Sequence, residues 1–271
     1  MSRSLRVLFQ GMKLIGKRGE TYTLHHPLIQ RRGKRCHIWS ASKDSDALDQ
    51  YVIKQPDDED GLGWPNFTKE LEMQKKFQKS AYIRRMVDLI PAPTDLQASC
   101  MMVLEPFEKS LWDARLRRPL ILEEIRSVMR SIAIGLGTIH QMNLVHTDLT
   151  GDQFNLPLRY LHLLQALANF DKPGMFDSLK VEGTLADKEN ATRALMVQEF
   201  DLQSVDYYTS DPVSRKLLPI KDETRTELDH WVVKLLDYGT PKKDIETVYL
   251  ALDTIPERRP TAMNLLEYGY I

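Results

Sequence analysis

Pro106 divides this chain into two kinds of sequence. Before it, apolar and β-branched residues come in short runs cut by turn residues: Tyr22-Thr23-Leu24, Leu28-Ile29, Cys36-His37-Ile38-Trp39, Tyr51-Val52-Ile53-Lys54, Met86-Val87-Asp88-Leu89-Ile90 and Cys100-Met101-Met102-Val103-Leu104. Runs of that length predict strands. A basic turn, Arg31-Arg32-Gly33-Lys34-Arg35, separates the second from the third. An acidic loop from Asp57 to Asp60 precedes a helix expected from Asn66, with Phe67, Leu71, Met73 and Phe77 on its apolar stripe. After Pro106 the periodicity becomes helical. Ile125, Val128, Met129, Ile132, Leu136 and Ile139 form one broad face of a helix over Ile121 to Met142. Leu158 to Phe170, Asp229 to Leu236, Lys243 to Leu252 and Thr261 to Tyr268 are also expected as helices, with Pro260 at the start of the last. The pattern predicts an α+β chain: a small strand-rich lobe, a hinge near Glu105 to Lys109, and a larger helical lobe.

Composition narrows the function classes. With 37 basic and 38 acidic side chains the net charge is −1, so no bulk field draws in nucleic acid or an anionic membrane. No stretch reaches the ~20 apolar residues that span a bilayer. Two cysteines, Cys36 and Cys100, are too few for a disulfide framework and fit a reducing compartment. Cys36 and His37 read as packing residues, since no second pair lies at ligand spacing. The expectation is an intracellular protein of cytoplasm or nucleus that recognises its partner at a local site.

The sharpest local signal is Leu144-Val145-His146-Thr147-Asp148-Leu149, directly after the long helix. A carboxylate in a loop held by a buried helix suits a general base. Upstream, in order, stand a strand ending in Val52-Ile53-Lys54, a helix carrying Glu70, and Val103-Leu104-Glu105 opening the hinge. By spacing alone Lys54 reads as a solvated edge-strand lysine. Glu70, among Lys69, Glu72, Lys75 and Lys76, reads equally as a member of surface i,i+4 pairs. The ordered co-occurrence of these parts is what points beyond that.

In that order the chain resembles the eukaryotic protein kinase family, most closely divergent kinase-like proteins of filamentous fungi. The resemblance runs from about Gly11 to Asn155 and resumes at Ile255-Pro256-Glu257-Arg258-Arg259-Pro260-Thr261-Ala262. It implies a two-lobed kinase-like fold, residues 11–105 as the β-rich lobe and 106–271 as the helical one. It implies ATP and Mg2+ as cofactors, and transfer of the γ-phosphate to Ser or Thr of a protein substrate. Lys54 resembles the strand lysine that holds the α- and β-phosphates, and Glu70 its helix partner; Glu72 faces elsewhere. Gly33 lies in the phosphate-covering loop. Leu104 takes the gatekeeper position, with Glu105 and Phe107 offering hinge backbone groups to adenine. Asp148 resembles the aspartate that accepts the substrate hydroxyl's proton.

The departures bear on activity. Gly33 is one glycine where active kinases carry three, so fewer backbone N–H groups can approach phosphate. Thr147 and Thr150 replace an arginine and a lysine of the catalytic loop. The family's magnesium-binding asparagine falls at Gln153, whose extra methylene displaces its amide oxygen by ~1.5 Å against a tolerance of ~0.5 Å. Asn155 is two residues late. No Asp-Phe-Gly, Ala-Pro-Glu or Asp-x-Trp-x-x-Gly occurs. One alignment takes Phe200-Asp201-Leu202-Gln203 as the magnesium motif, with Asp201 as ligand and Met196-Val197-Gln198 as its strand. The better-fitting one reads Leu158 to Phe170 as the tail of the central helix and Lys172 to Ser178 as the segment after it. The magnesium loop and activation segment are then missing between Asn155 and Leu158. Without the Ala-Pro-Glu carboxylate, Arg259 is expected to be exposed or paired with a nearby acid. Asp229 is expected as a helix N-cap and Trp231 as a core residue. The alternative function is a catalytically inactive pseudokinase that binds a protein partner.

Overall fold

The computed structural model describes residues 6–28, 36–57, 63–92, 100–106, 114, 118–144, 161, 164, 183–218, 230–269 and 271. The chain is α+β, with every described strand ahead of Pro106. It divides into two compact units, Met1–Ser110 and Leu111–Ile271.

The first unit is an antiparallel sheet with one helix. Its strands are β1 (Lys13–Ile15), β2 (Thr21–Pro27), β3 (Ile38–Lys43), β4 (Asp46–Lys54), β5 (Met86–Ile90) and β6 (Met101–Leu104), in the order β1-β2-β3-β4-β6-β5. Successive side chains of a strand point to opposite faces, so each strand feeds two cores. Leu14, Tyr22, Leu24, Trp39, Ala41, Ile53, Ile90, Met101 and Val103 bury one face against one another. Helix α1 (Gly63–Lys76) covers the other, where Phe67 packs with Val52, Met86, Met102 and Leu104.

The sheet curls until its outer strands meet. The Lys17 N–H, in the β1–β2 turn, donates to the Leu89 carbonyl on β5 at 2.9 Å. Beside it the buried Asp88 carboxylate accepts from the Tyr22 hydroxyl at 3.2 Å, the Leu89 N–H at 2.7 Å and the Arg18 N–H at 3.4 Å. Burial, and then the Asp88 charge, raise the Tyr22 phenol's pKa. Gly16 is required here, since a Cβ would lie 1.9 Å from Asp88 Oδ2.

Several local expectations shift. β1 has only three residues and no alternation long enough to read. β3 and β4 run on through Asp44 and Ser45 as one hairpin. Asp44 holds that turn by accepting from Lys13 Nζ at 2.7 Å and Thr23 Oγ1 at 2.5 Å, which lowers its carboxyl pKa. Helix α1 starts at Gly63, so Asn66 lies in its first turn and does not cap it.

The second unit is built on α2 (Leu122–His140). Its Ile125, Met129, Ala133 and Leu136 are buried with Leu161 and Leu164, both helical, from the segment expected as a helix over Leu158 to Phe170. The same core takes Trp231 and Leu235 of α6 (His230–Asp237), Ile245 and Val248 of α7 (Lys242–Ala251), and Ala262 and Leu265 of α8 (Ala262–Glu267). Trp231 is thus a core residue as expected; Asp229 lies outside the described residues. Gly137 lets α2 approach α8, where a Cβ would fall 2.5 Å from Met263 Sδ. Asp244 on α7 is fully buried and takes both Nε and Nη2 of Arg126 on α2, at 2.9 and 2.6 Å. Removing one partner of a buried pair costs ~3–5 kcal/mol.

Between these elements run α3 (Leu185–Phe200), α4 (Asp206–Thr209) and α5 (Pro212–Leu217). Met196 to Gln198, a strand in the less well-fitting of the two alignments, therefore lies near the end of a helix. A capping box, Thr184 with Asp187, starts α3. Through it run Ala, Leu, Met, Gln and Glu, all good helix formers. Asp201 ends α3 in the left-handed region, φ 45° and ψ 44°. Pro260 precedes the N-cap of α8, which is Thr261 in a reciprocal pair with Asn264, so it stands outside the helix. Arg259 departs from both of its expected states. It is partly buried, and among the described residues its hydrogen-bond partners are the Asp253 carbonyl at 2.6 Å and the Tyr208 hydroxyl at 3.2 Å. Two neutral oxygens there occupy donors expected to meet a carboxylate or solvent.

Candidate functional site: a lysine–glutamate pair on the sheet

β4 lies between β3 and β6, so Lys54 is not on an edge. In Val52-Ile53-Lys54 the middle residue is fully buried in the first core, and Val52 faces the helix side. Lys54, two residues from Val52, points the same way. On α1, Phe67 plugs into the sheet, and Glu70 stands three residues on, on the same face of the helix. The two meet: Lys54 Nζ is 2.8 Å from Oε1 and 2.6 Å from Oε2 of Glu70. Their side chains are 27% and 35% exposed. A pair so placed contributes little to stability but holds an ammonium in a fixed position with access to solvent. Lys69 and Glu72 are exposed on other sides of the helix.

Leu104, the expected gatekeeper, closes β6 opposite Val52 and Met86, and is buried against Phe67. Lys54 registers with Met102, two residues earlier on the same strand.

Glu105 is tied down from one side. Its N–H donates to the Arg85 carbonyl at 3.0 Å, and its own carbonyl accepts from Arg84 Nε at 2.7 Å. Its carboxylate takes Nε of Arg85 at 2.8 Å and also Nη2. Both backbone groups expected to face adenine are thus engaged with the segment leading into β5; the carbonyl keeps a second lone pair. Burial lowers the Arg84 pKa, while the charges of Glu70 and then Glu105 raise it. Sequence reasoning misses Arg84 and Arg85. Their only signal is two adjacent arginines at the mouth of a strand, which is weak, because basic residues there are usually solvated.

Gly33, Phe107, Asp148, Gln153 and Asn155 lie outside the described residues, as do Thr147 and Thr150. The described residues bring Lys54 and Glu70 into contact, while Leu104 ends the neighbouring strand and Glu105 follows it, held by Arg84 and Arg85; Asp201 belongs to the second unit. The Lys54 ammonium, fixed by a carboxylate and partly open, has the chemistry to hold a phosphate oxygen. Among the described residues no group of three or more His, Cys, Asp or Glu is placed to hold a metal ion. Nor, among them, is any helix long and apolar enough to cross a membrane. The chain matches no protein-family model and no curated protein.

Proposed function

We propose that this chain is a protein-kinase-like domain that binds ATP with Mg2+, Lys54 holding the nucleotide phosphates and Glu70 holding Lys54. By the resemblance, Asp148 then serves as the base for γ-phosphate transfer to Ser or Thr of a protein substrate. The observation that carries the reading is the two-oxygen grip of Glu70 on Lys54. A lysine on an interior strand paired to a helix glutamate is the arrangement a kinase needs in place before it can position phosphates. Gln153 and Asn155, the holders of Mg2+ by resemblance, fit it poorly: one side chain is a methylene too long and the other comes two residues late.

A second reading has its own support. The chain contains no Asp-Phe-Gly, and the segment that could replace it ends a helix at Asp201 and contains no strand. A pseudokinase that binds nucleotide, or only a protein partner, fits that feature. Titration calorimetry with ATP, with and without Mg2+, tests the first step. Binding that Lys54→Met abolishes supports the nucleotide site, and no heat at millimolar ATP overturns it. Phosphate transfer to a mixed peptide array, lost in Asp148→Ala, then separates enzyme from pseudokinase. Binding without transfer selects the second reading.

A further inference from the structure

In the helical unit Arg259 is held by neutral oxygens. Its Nε donates to the Asp253 carbonyl at 2.6 Å, and its Nη2 to the Tyr208 hydroxyl at 3.2 Å. The Asp253 carboxylate turns elsewhere and accepts from the Ile255 N–H at 2.8 Å. Among the described residues no carboxylate bonds to this guanidinium, which is partly buried. A partly desolvated cation without a countercharge favours the arrival of an anion.

The Tyr208 hydroxyl lies where that anion could be built. Tyr208 is half-buried on α4 and packs edge-on against Tyr207, ring centroids 5.1 Å apart. Its oxygen accepts from Arg259, and among the described residues it donates to nothing. The ring is thus anchored with its oxygen at the guanidinium and its proton uncommitted. Tyr207 is exposed beside it, and among the described residues no cation meets its hydroxyl. Helix α4 has only four residues, so opening it to admit an enzyme costs little.

We propose that Tyr208 is a phosphorylation site whose phosphate is held by Arg259. In the step, the Tyr208 oxygen attacks the γ-phosphorus of ATP carried by a separate tyrosine kinase. The bond from that phosphorus to ADP breaks as the new P–O bond forms, and the phenol proton passes to the kinase's base. A phosphate of charge about −1.5 to −2 then stands at the guanidinium, and a neutral contact becomes a charge-assisted one. It ties α4 to the turn that carries Arg259, 51 residues away in the chain. Asp206 and Glu257 are exposed, so solvent screens their repulsion of the phosphate. Both Tyr208 and Arg259 lie outside the unit of the lysine–glutamate pair, so this site stands or falls apart from nucleotide binding.

The test uses the full chain carrying Tyr207→Phe, incubated with ATP, Mg2+ and a broad-specificity tyrosine kinase and mapped by mass spectrometry. Phosphate on Tyr208 is expected, and a chain left unmodified there overturns the proposal. Phosphorus NMR then follows the second ionisation of the phosphate, in the native chain and in the same chain unfolded in urea. The unfolded value should lie at about 6, and the native value at least about half a pH unit lower, because the guanidinium favours the dianion. With Arg259→Gln added, that difference should vanish. Equal ionisation in the native and unfolded chains, or an undiminished difference with Arg259→Gln, overturns the proposal. The native-against-unfolded comparison decides even if Arg259→Gln does not fold. Urea unfolding at neutral pH gives a further readout. Phosphorylation should raise the folding equilibrium constant about fivefold when Arg259 is present and not when Arg259→Gln has replaced it. A fall on phosphorylation with Arg259 present overturns the proposal.

Discussion

Glu70 holds Lys54 with both carboxylate oxygens, 2.8 and 2.6 Å from Nζ, across the seam between helix α1 and strand β4. Sixteen residues separate them in the chain. The pair is too exposed to be a large stabilising term, so its consequence is geometric: an ammonium held at one place on an otherwise apolar face.

Substituting either member should therefore separate binding from stability. Lys54→Met and Glu70→Gln are each expected to change unfolding free energy by less than about 1 kcal/mol. Both should lose at least about tenfold in affinity for ATP with Mg2+. Urea unfolding and calorimetry read the two effects, and a large stability loss with unchanged affinity would contradict the assigned role.

Gly16 is expected to tolerate no side chain. A Cβ 1.9 Å from Asp88 Oδ2 must displace the β1–β2 turn or the carboxylate that pins it. Gly16→Ala should cost ~1–3 kcal/mol, as overpacking does elsewhere. The cost should shrink in an Asp88→Ala chain, where the obstructing carboxylate is gone; a double-variant cycle measures the difference.

In the helical unit the largest single loss is expected at the α2–α7 bond. Arg126→Met leaves Asp244, which is fully buried, without its guanidinium and should cost ~3–5 kcal/mol. Arg126→Met with Asp244→Leu should cost less than Arg126→Met alone, since the buried carboxylate that lost its guanidinium is then removed too. Chemical denaturation of the two variants decides this.

Glu124, in the first turn of α2, accepts from both ends of the Arg118 guanidinium and from the Ile121 N–H. The Arg118 hydrogen bonds, then that backbone bond, lower its pKa from 4.5 to about 2. Between those values the unfolded chain binds the proton and the native chain does not. The contribution to stability is present above pH 4.5 and is lost as pH falls through about 2. Carboxyl NMR titration should find the Glu124 midpoint near 2, moving upward in Arg118→Gln.

Strands are legible in this chain where an apolar run reaches four residues or so. Met86–Ile90 and Met101–Leu104 appear where the apolar runs place them, and the long helix differs from its expected span only at the ends. β1 is too short to read, and the Asp44 turn is hidden because its stabilising partners, Lys13 and Thr23, lie in other strands. Met196 to Gln198 misleads because a short apolar run looks alike in a strand and on a helix. What settles it is Thr184, well upstream of Met196, capping a helix that reaches Phe200.

By itself, the sequence determined the α+β class and the placing of the described strands ahead of Pro106, because each follows from periodicity within one segment. Spacing left Lys54 on a sheet edge and Glu70 among surface pairs, and only the resemblance joined them; the tertiary structure puts Lys54 on an interior strand and brings Glu70 to it. It alone turned the Glu105 backbone toward Arg84, and gave Arg259 a carbonyl and a hydroxyl in place of a carboxylate. Those outcomes depend on how separate segments are registered against one another. Local pattern says which face a side chain occupies, but the partner across the gap is chosen by packing, through the cost of leaving a charge or a polar group uncompensated.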